Sequence, residues 1–117
     1  MNDVSIIKIL RADELAELVV SGRFEGSADD RRDGFVHLST DAQVPGTLTK
    51  HFHQIATLFL IYVKIGALED ALRWEVSRGG ERFPHLYRPL VLSDVEAVVP
   101  VPQTRDGWQV PRLKLEV

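Results

Sequence analysis

Leu58-Phe59-Leu60-Ile61-Tyr62-Val63 restricts the fold of this chain more than any other segment. Apolar and aromatic residues follow one another with no polar residue at alternate positions. That pattern describes a central strand covered on both faces, not one with a wet side. Even extended back to Ile55, the run is too short to cross a bilayer as a helix. The rest of the chain must therefore supply both covering layers. It has 117 residues, 44% hydrophobic and 26% charged, which suits one globular domain spanning residues 1–117. It has no cysteine, so the core must hold without disulfides, and thiolate catalysis and cysteine–zinc sites are excluded. A net charge of −3 gives no electrostatic case for nonspecific nucleic-acid or membrane binding. The start, Met1-Asn2-Asp3-Val4, lacks a basic and then apolar leader, so no signal peptide is expected and the cytoplasm is the expected location.

The other elements follow from local pattern. Ser5 to Leu10 predicts a strand whose single charge is Lys8. Asp13 to Val20 predicts a helix with Leu15, Leu18 and Val19 on one face and Gly22 as its stop. Arg23 to Asp33 is polar and glycine-containing, and is expected to be a loop long enough to act as a lid. Its Arg31-Arg32 pair, among Asp29, Asp30 and Asp33, reads as solvated loop charge. Gly34 to Ser39 predicts a second strand. Thr40-Asp41-Ala42-Gln43 fits a capping box, leading to a helix with Val44, Leu48 and Phe52 on one face and Pro45 in its first turn. Ile65 to Ala71 suits a turn or a single helical turn, and Leu72 to Val76 a short strand. Ser77 to Arg82 suits a loop, and Tyr87 to Leu92, with Pro89, an edge strand or an irregular connection. Val95 to Val101 predicts a last core strand. Asp106-Gly107 before Trp108 signals a hairpin within 103–117. The order β-α-β-α-β and then mostly β defines an α+β domain, with about six strands in its sheet and two helices.

Two short apolar segments each hold a histidine, Gly34-Phe35-Val36-His37-Leu38-Ser39-Thr40 and Arg82-Phe83-Pro84-His85-Leu86-Tyr87-Arg88-Pro89-Leu90. Imidazole titrates near neutral pH, and a partly buried one suits acid–base or ligand work. The competing reading is two hydrogen-bonded core histidines. Strand periodicity puts Phe35, His37 and Ser39 on one face and Val36 and Leu38 on the core face. A strand end entering a helix N-terminus favours an anion near His37, Ser39 and Thr40. On Arg73-Trp74-Glu75, the guanidinium and carboxylate share one face and the indole takes the other. Glu75 is either an acid–base group or half of an exposed cross-strand ion pair. Tyr87 and Arg88, beside His85, suit a planar or phosphorylated ligand. His51-Phe52-His53 offers two imidazoles, but i, i+2 spacing does not share a helical face, and no metal is expected.

The run D-G-F-V-H-L-S-T, then Q-V-P-G, then R-W-E and F-P-H-L-Y-R-P-L resembles the bacterial family called domain of unknown function 952. The resemblance covers about residues 5 to 102, and F-P-H-x-Y-x-P-L is its most specific part. It implies a single-domain ADP-ribosylation-like fold, with a mixed sheet of about six strands and two helices. V-H-L-S-T-D, followed by a helix and an apolar strand, is similar to a segment of RNA 2′-phosphotransferases, which use NAD. The resemblance implies a nucleotide- or NAD-like ligand cleft. Lys8, Ser39, Thr40, Trp74, His85, Tyr87 and Arg88 would bind the ligand, and Glu75 and His37 would do the chemistry, Glu75 by stabilising a developing oxocarbenium charge. Lys8 stands where the family usually has histidine, and can hold a phosphate only as a point charge. The expectation is a binding module with weak or lost transferase chemistry; the alternative is an active NAD-dependent ADP-ribosyl- or phosphotransferase.

Overall fold

The computed structural model describes residues 5–52, 57–104 and 107–108. The first half of the chain forms β1 (Ile6–Leu10), α1 (Ala12–Ser21), β2 (Arg23–Phe24), α2 (Ala28–Asp33), β3 (Val36–His37), β4 (Ser39–Thr40) and α3 (Val44–His51). The second half forms β5 (Thr57–Val63), α4 (Ile65–Leu68), β6 (Leu72–Val76), β7 (Arg82–Leu86), β8 (Leu90–Val91), β9 (Val95–Thr104) and β10 (Gly107–Trp108). Single 3-10 turns follow α4, β6 and β8.

The apolar run is central, as its composition requires. β5 lies between β1 and β9 in a five-stranded sheet of order β10-β9-β5-β1-β4. Its side chains alternate between two cores. Leu58, Leu60 and Tyr62 meet Ile7, Ile9 and Val101 under Val44 and Leu48 of α3. Ile61 and Val63 join Ile6 and Leu10 under Leu18 of α1, with Phe24, Val36, Leu38 and Leu86. Each such fully buried aliphatic side chain contributes about 1.5–3 kcal/mol. The second covering layer includes a three-stranded sheet, β3-β7-β6, and a two-stranded ribbon, β2-β8. Pro100 and Pro102 occupy alternate positions of β9, opposite Phe59 and Thr57. Alternate residues of a strand turn their N–H the same way, so both prolines fit where no ladder donor is needed.

The class is α+β, but several expectations change. The single mixed sheet of about six strands is instead three sheets, and the observed pairings are antiparallel throughout. Four α-helices are present among the described residues, against two expected. The Arg23–Asp33 loop is in fact β2 followed by α2. Ser27 Oγ accepts from the Asp30 N–H and the Asp30 carboxylate accepts from the Ser27 N–H, which closes a capping box on a short helix. Gly34 to Ser39 is not one strand; it breaks at Leu38 and serves two sheets. Val19 is exposed, because only Leu18 and Leu15 of α1 reach the core. The Thr40–Gln43 box forms, but it closes a turn, and α3 starts at Val44. Gly22 ends α1 in the left-handed region as expected, at φ 81°. β10 pairs with Gln103 and Thr104, and the rest of the expected hairpin lies outside the described residues.

Candidate functional site

The break at Leu38 opens a seam. β4 pairs with β1 only at Ile6 and Ile7, while β3 leaves to pair with β7. Beyond Ile7, β1 parts from the chain that carries His37. A cavity of about 330 Å³ lies in this seam, with Lys8, Asp30, His37, Ser39 and His85 among its walls and α3 along one side. Lys8 is 6% exposed and crosses the seam. Its ammonium lies 3.0 Å from Asp30 Oδ2 and donates to the His37 carbonyl at 3.1 Å. Asp30, 2% exposed, also accepts from the His37 N–H at 3.0 Å, the His37 ring at 2.7 Å and the Ser27 N–H at 2.9 Å. Burial alone would push the Asp30 carboxyl up. The His37 imidazole, the Lys8 ammonium and the two backbone N–H groups outweigh it and hold the carboxyl well below the usual carboxylate range. The other His37 ring nitrogen meets Asp33 Oδ2 at 2.9 Å. Arg32 first, and then His37, lower the Asp33 carboxyl. Two carboxylates can both be satisfied only when both ring nitrogens carry protons. Ser39 Oγ lies 3.2 Å from Thr47 Oγ1 of α3.

The second histidine joins the first through the three-stranded sheet. His37 sits opposite His85, and His85 opposite Arg73, so the three side chains share a face. The imidazole centroids are 5.6 Å apart. Phe35 stacks on His85 at 3.9 Å and 23°, and touches the rings of His37 and Tyr87. His85 Nδ1 lies 2.7 Å from Glu75 Oε1, and the Tyr87 hydroxyl donates to the same oxygen at 2.7 Å. Those bonds, Tyr87 first and then His85, keep the Glu75 carboxyl below its ordinary value, and the carboxylate in turn raises the Tyr87 phenol. Val36 and Leu86, on the opposite face, lie in the core. Phe35, His37 and Ser39 thus lie off the core face that Val36 and Leu38 take, as the two-residue period predicts.

The structure brings Lys8, His37, Ser39 and His85 to one cavity, and leaves the other expected residues out of its walls. Glu75 and Tyr87 continue the same polar face beyond His85. Trp74 points the other way and is 41% exposed. Arg88 is a clamp: its guanidinium holds Asp94 at 2.8 and 3.0 Å and donates to the carbonyls of Pro89 and Ala67. Burial would raise the Asp94 carboxyl, but Arg88 and the Val91 N–H hold it low. Thr40 is tied to Gln43. Lys8 is held by Asp30 rather than free for a phosphate, and both His37 ring nitrogens meet carboxylates. The Thr40 and Gln43 N–H groups bond within the turn and the Asp41 N–H bonds the Ser5 carbonyl, so the expected helix N-terminus stands not at Thr40 but at Val44, where α3 begins.

Sequence reasoning read Asp30 and Asp33 as solvated loop charge, weighed His51 only as a metal ligand and did not single out Lys50. Their signals were the S-x-x-D box at Ser27, which orders the acidic run into a helix, and the last turn of α3. Lys50 lines the cavity, is exposed and has no ion-pair partner among the described residues. His53 lies outside the described residues. Among the described residues no group of three or more histidine, cysteine or acidic side chains is arranged to hold a metal ion, and no helix is long and apolar enough to cross a membrane.

Comparison with known proteins fits this architecture. The model for a family described as "Protein of unknown function (DUF952)" matches residues 9–98. The crystal structure of protein CC0527 from Caulobacter crescentus is 47% identical over 88% of this chain and 90% of that one, with a TM-score of 0.83. The solution structure of the same protein is 46% identical over 89% of this chain and 90% of that one, with a TM-score of 0.79. Among curated proteins there is no match.

Proposed function

Because the chain belongs to the DUF952 family of proteins of unknown function, whose name carries no chemistry, we propose from the seam itself that it is a binding module for a small phosphorylated, nucleotide-like ligand, NAD among them. One observation carries the reading: both histidine segments, distant in sequence, wall one cavity at a break between sheets. Its volume is at the lower end of small-ligand sites, closer to one nucleotide half than to a whole dinucleotide. Phe52, Phe83, Ile9 and Leu38 provide apolar surface for a planar ring, and Ser27, Ser77 and Thr47 are hydroxyl-bearing neighbours. Among the described residues Lys50 is a cation of the cavity wall without an ion-pair partner, and it would hold a phosphate as a point charge. An ADP-ribosylation-like ancestry would account for such a cleft.

The alternative, an active transferase, is weakened by Glu75. Its carboxylate stands outside the cavity walls and is bound to His85 and Tyr87, so it is not placed to stabilise positive charge on a ligand within. Calorimetric titration with AMP and NAD tests the proposal. Heat and saturable binding are expected, at least fivefold weaker in Lys50→Glu, which changes an exposed side chain. No heat with either ligand overturns it. Turnover of NAD by the wild type that vanishes in Glu75→Gln would establish the transferase instead.

A further inference from the structure

Among the described residues of the seam, His85 is a buried polar group whose bonding is incomplete. It is 4% exposed, its ring is clamped against Phe35 at 3.9 Å, and its Nδ1 meets Glu75 at 2.7 Å. Its Nε2 has no partner among the described residues. His85 lines the cavity and Glu75 does not, so Nδ1 is anchored on a residue outside the cavity walls. A buried imidazole nitrogen without a partner carries a desolvation cost unless something completes it.

We propose that Glu75 and Tyr87 are positioning residues that fix His85 as its Nδ1–H tautomer and so present Nε2 as a hydrogen-bond acceptor for a ligand hydroxyl of the ribose type. The reasoning is one of donors and acceptors. The Glu75 carboxylate, which the Tyr87 hydroxyl already supplies with a donor, has no proton to give. It can only accept, so the neutral ring must carry its proton on Nδ1. Nε2 is then left with a lone pair, which suits an O–H. The partner is therefore a proton donor and not a carbonyl or an ionised phosphate oxygen, and the donors that a nucleotide's sugar offers are its ribose hydroxyls. His37, on the same wall, has carboxylates at both ring nitrogens and offers no such acceptor. The inference rests on the nucleotide reading above and assigns one part of that ligand to one atom.

Two measurements test it. Long-range proton–nitrogen NMR of the nitrogen-15-labelled full chain, at about pH 8 where an ordinary histidine is neutral, reads the tautomer directly. A protonated Nδ1 and an unprotonated Nε2 are expected for His85, with Glu75→Ala moving the ring towards the Nε2–H form. A ring already Nε2–H or doubly protonated in the wild type overturns the proposal. Titration with AMP and with 2′,3′-dideoxy-AMP reads the hydroxyl. Wild type should bind AMP about tenfold more tightly, the worth of one buried hydrogen bond, and Glu75→Ala should lose that preference. His85→Phe, which keeps a ring on Phe35, should lose it too; if that variant does not fold, Glu75→Ala decides. Equal binding of the two nucleotides by the wild type overturns the hydroxyl assignment alone. No binding of either overturns the nucleotide reading and this assignment with it.

Discussion

Asp30 joins three elements through one carboxylate: β1 by Lys8, β3 by His37 and its own helix by Ser27. Removing one partner of a buried pair leaves an uncompensated charge, so Asp30→Ala should destabilise the chain by about 3–5 kcal/mol in urea unfolding. The apolar double variant Lys8→Met/Asp30→Leu should cost clearly less than the sum of its singles, because it strands no charge. Additive losses would show that the pair is not coupled. The same carboxyl sets an acid limit. Asp30 and Asp94 are both held below the ordinary aspartate value. A depressed carboxyl contributes stability that is complete above its unfolded pKa, about 3.9, and is lost as pH falls through the folded one. The urea midpoint should therefore fall between about pH 5 and about pH 3, and less steeply in Asp94→Asn. A midpoint that rises over that interval would contradict the assignment.

At the scale of elements, α2 is too short to persist alone, and its approach to β1 depends on Gly26. Gly26 sits at φ 128°, and a Cβ there would lie 2.9 Å from the Asp30 Cβ. Gly26→Ala should cost about 1–3 kcal/mol and loosen the seam, read as faster amide exchange at His37, whose N–H bonds Asp30. Unchanged protection at His37 would mean that α2 holds its place without this contact. The S-x-x-D signal for this helix was present in the sequence. It was masked by the neighbouring Arg31-Arg32 and Asp33, which look solvated because nothing local shows that one acid of the run turns inward. Likewise the period of two assigned the faces of Phe35 to Ser39 correctly but carried no sign of the break at Leu38.

For the whole molecule, two cores on either face of β1 and β5 make the five-stranded sheet the stable part, and the seam is where its covering layers part. A ligand in the seam would bridge α2, α3 and β7, so it should stabilise the native state as a unit. At a hundred times its dissociation constant, AMP should add about 2.7 kcal/mol to the unfolding free energy. That gain should be absent in variants that fail to bind by calorimetry. A ligand that binds without stabilising would have to bind the unfolded chain equally, which would rule out the seam as its site.

Periodicity alone determined β5 as a doubly covered strand, the core faces of β3 and α3, and the α+β class, since each depends on a spacing that holds wherever the segment ends up. Gly22 set the end of α1 for the same reason, whereas the Thr40–Gln43 box formed around a turn and not at the start of α3. The motifs also marked His37 and His85 as a pair. What Lys8, Glu75 and Arg88 do depends on partners 22, 10 and 6 residues away, and no local pattern names them. A charge on an apolar strand is a ligand hook or half of a buried pair according to whether a carboxylate arrives from another element. Only the packing of α2 against β1 and β3 decides that for Lys8, and only the stacking of Phe35 and the reach of Glu75 fix the His85 ring by its Nδ1 edge.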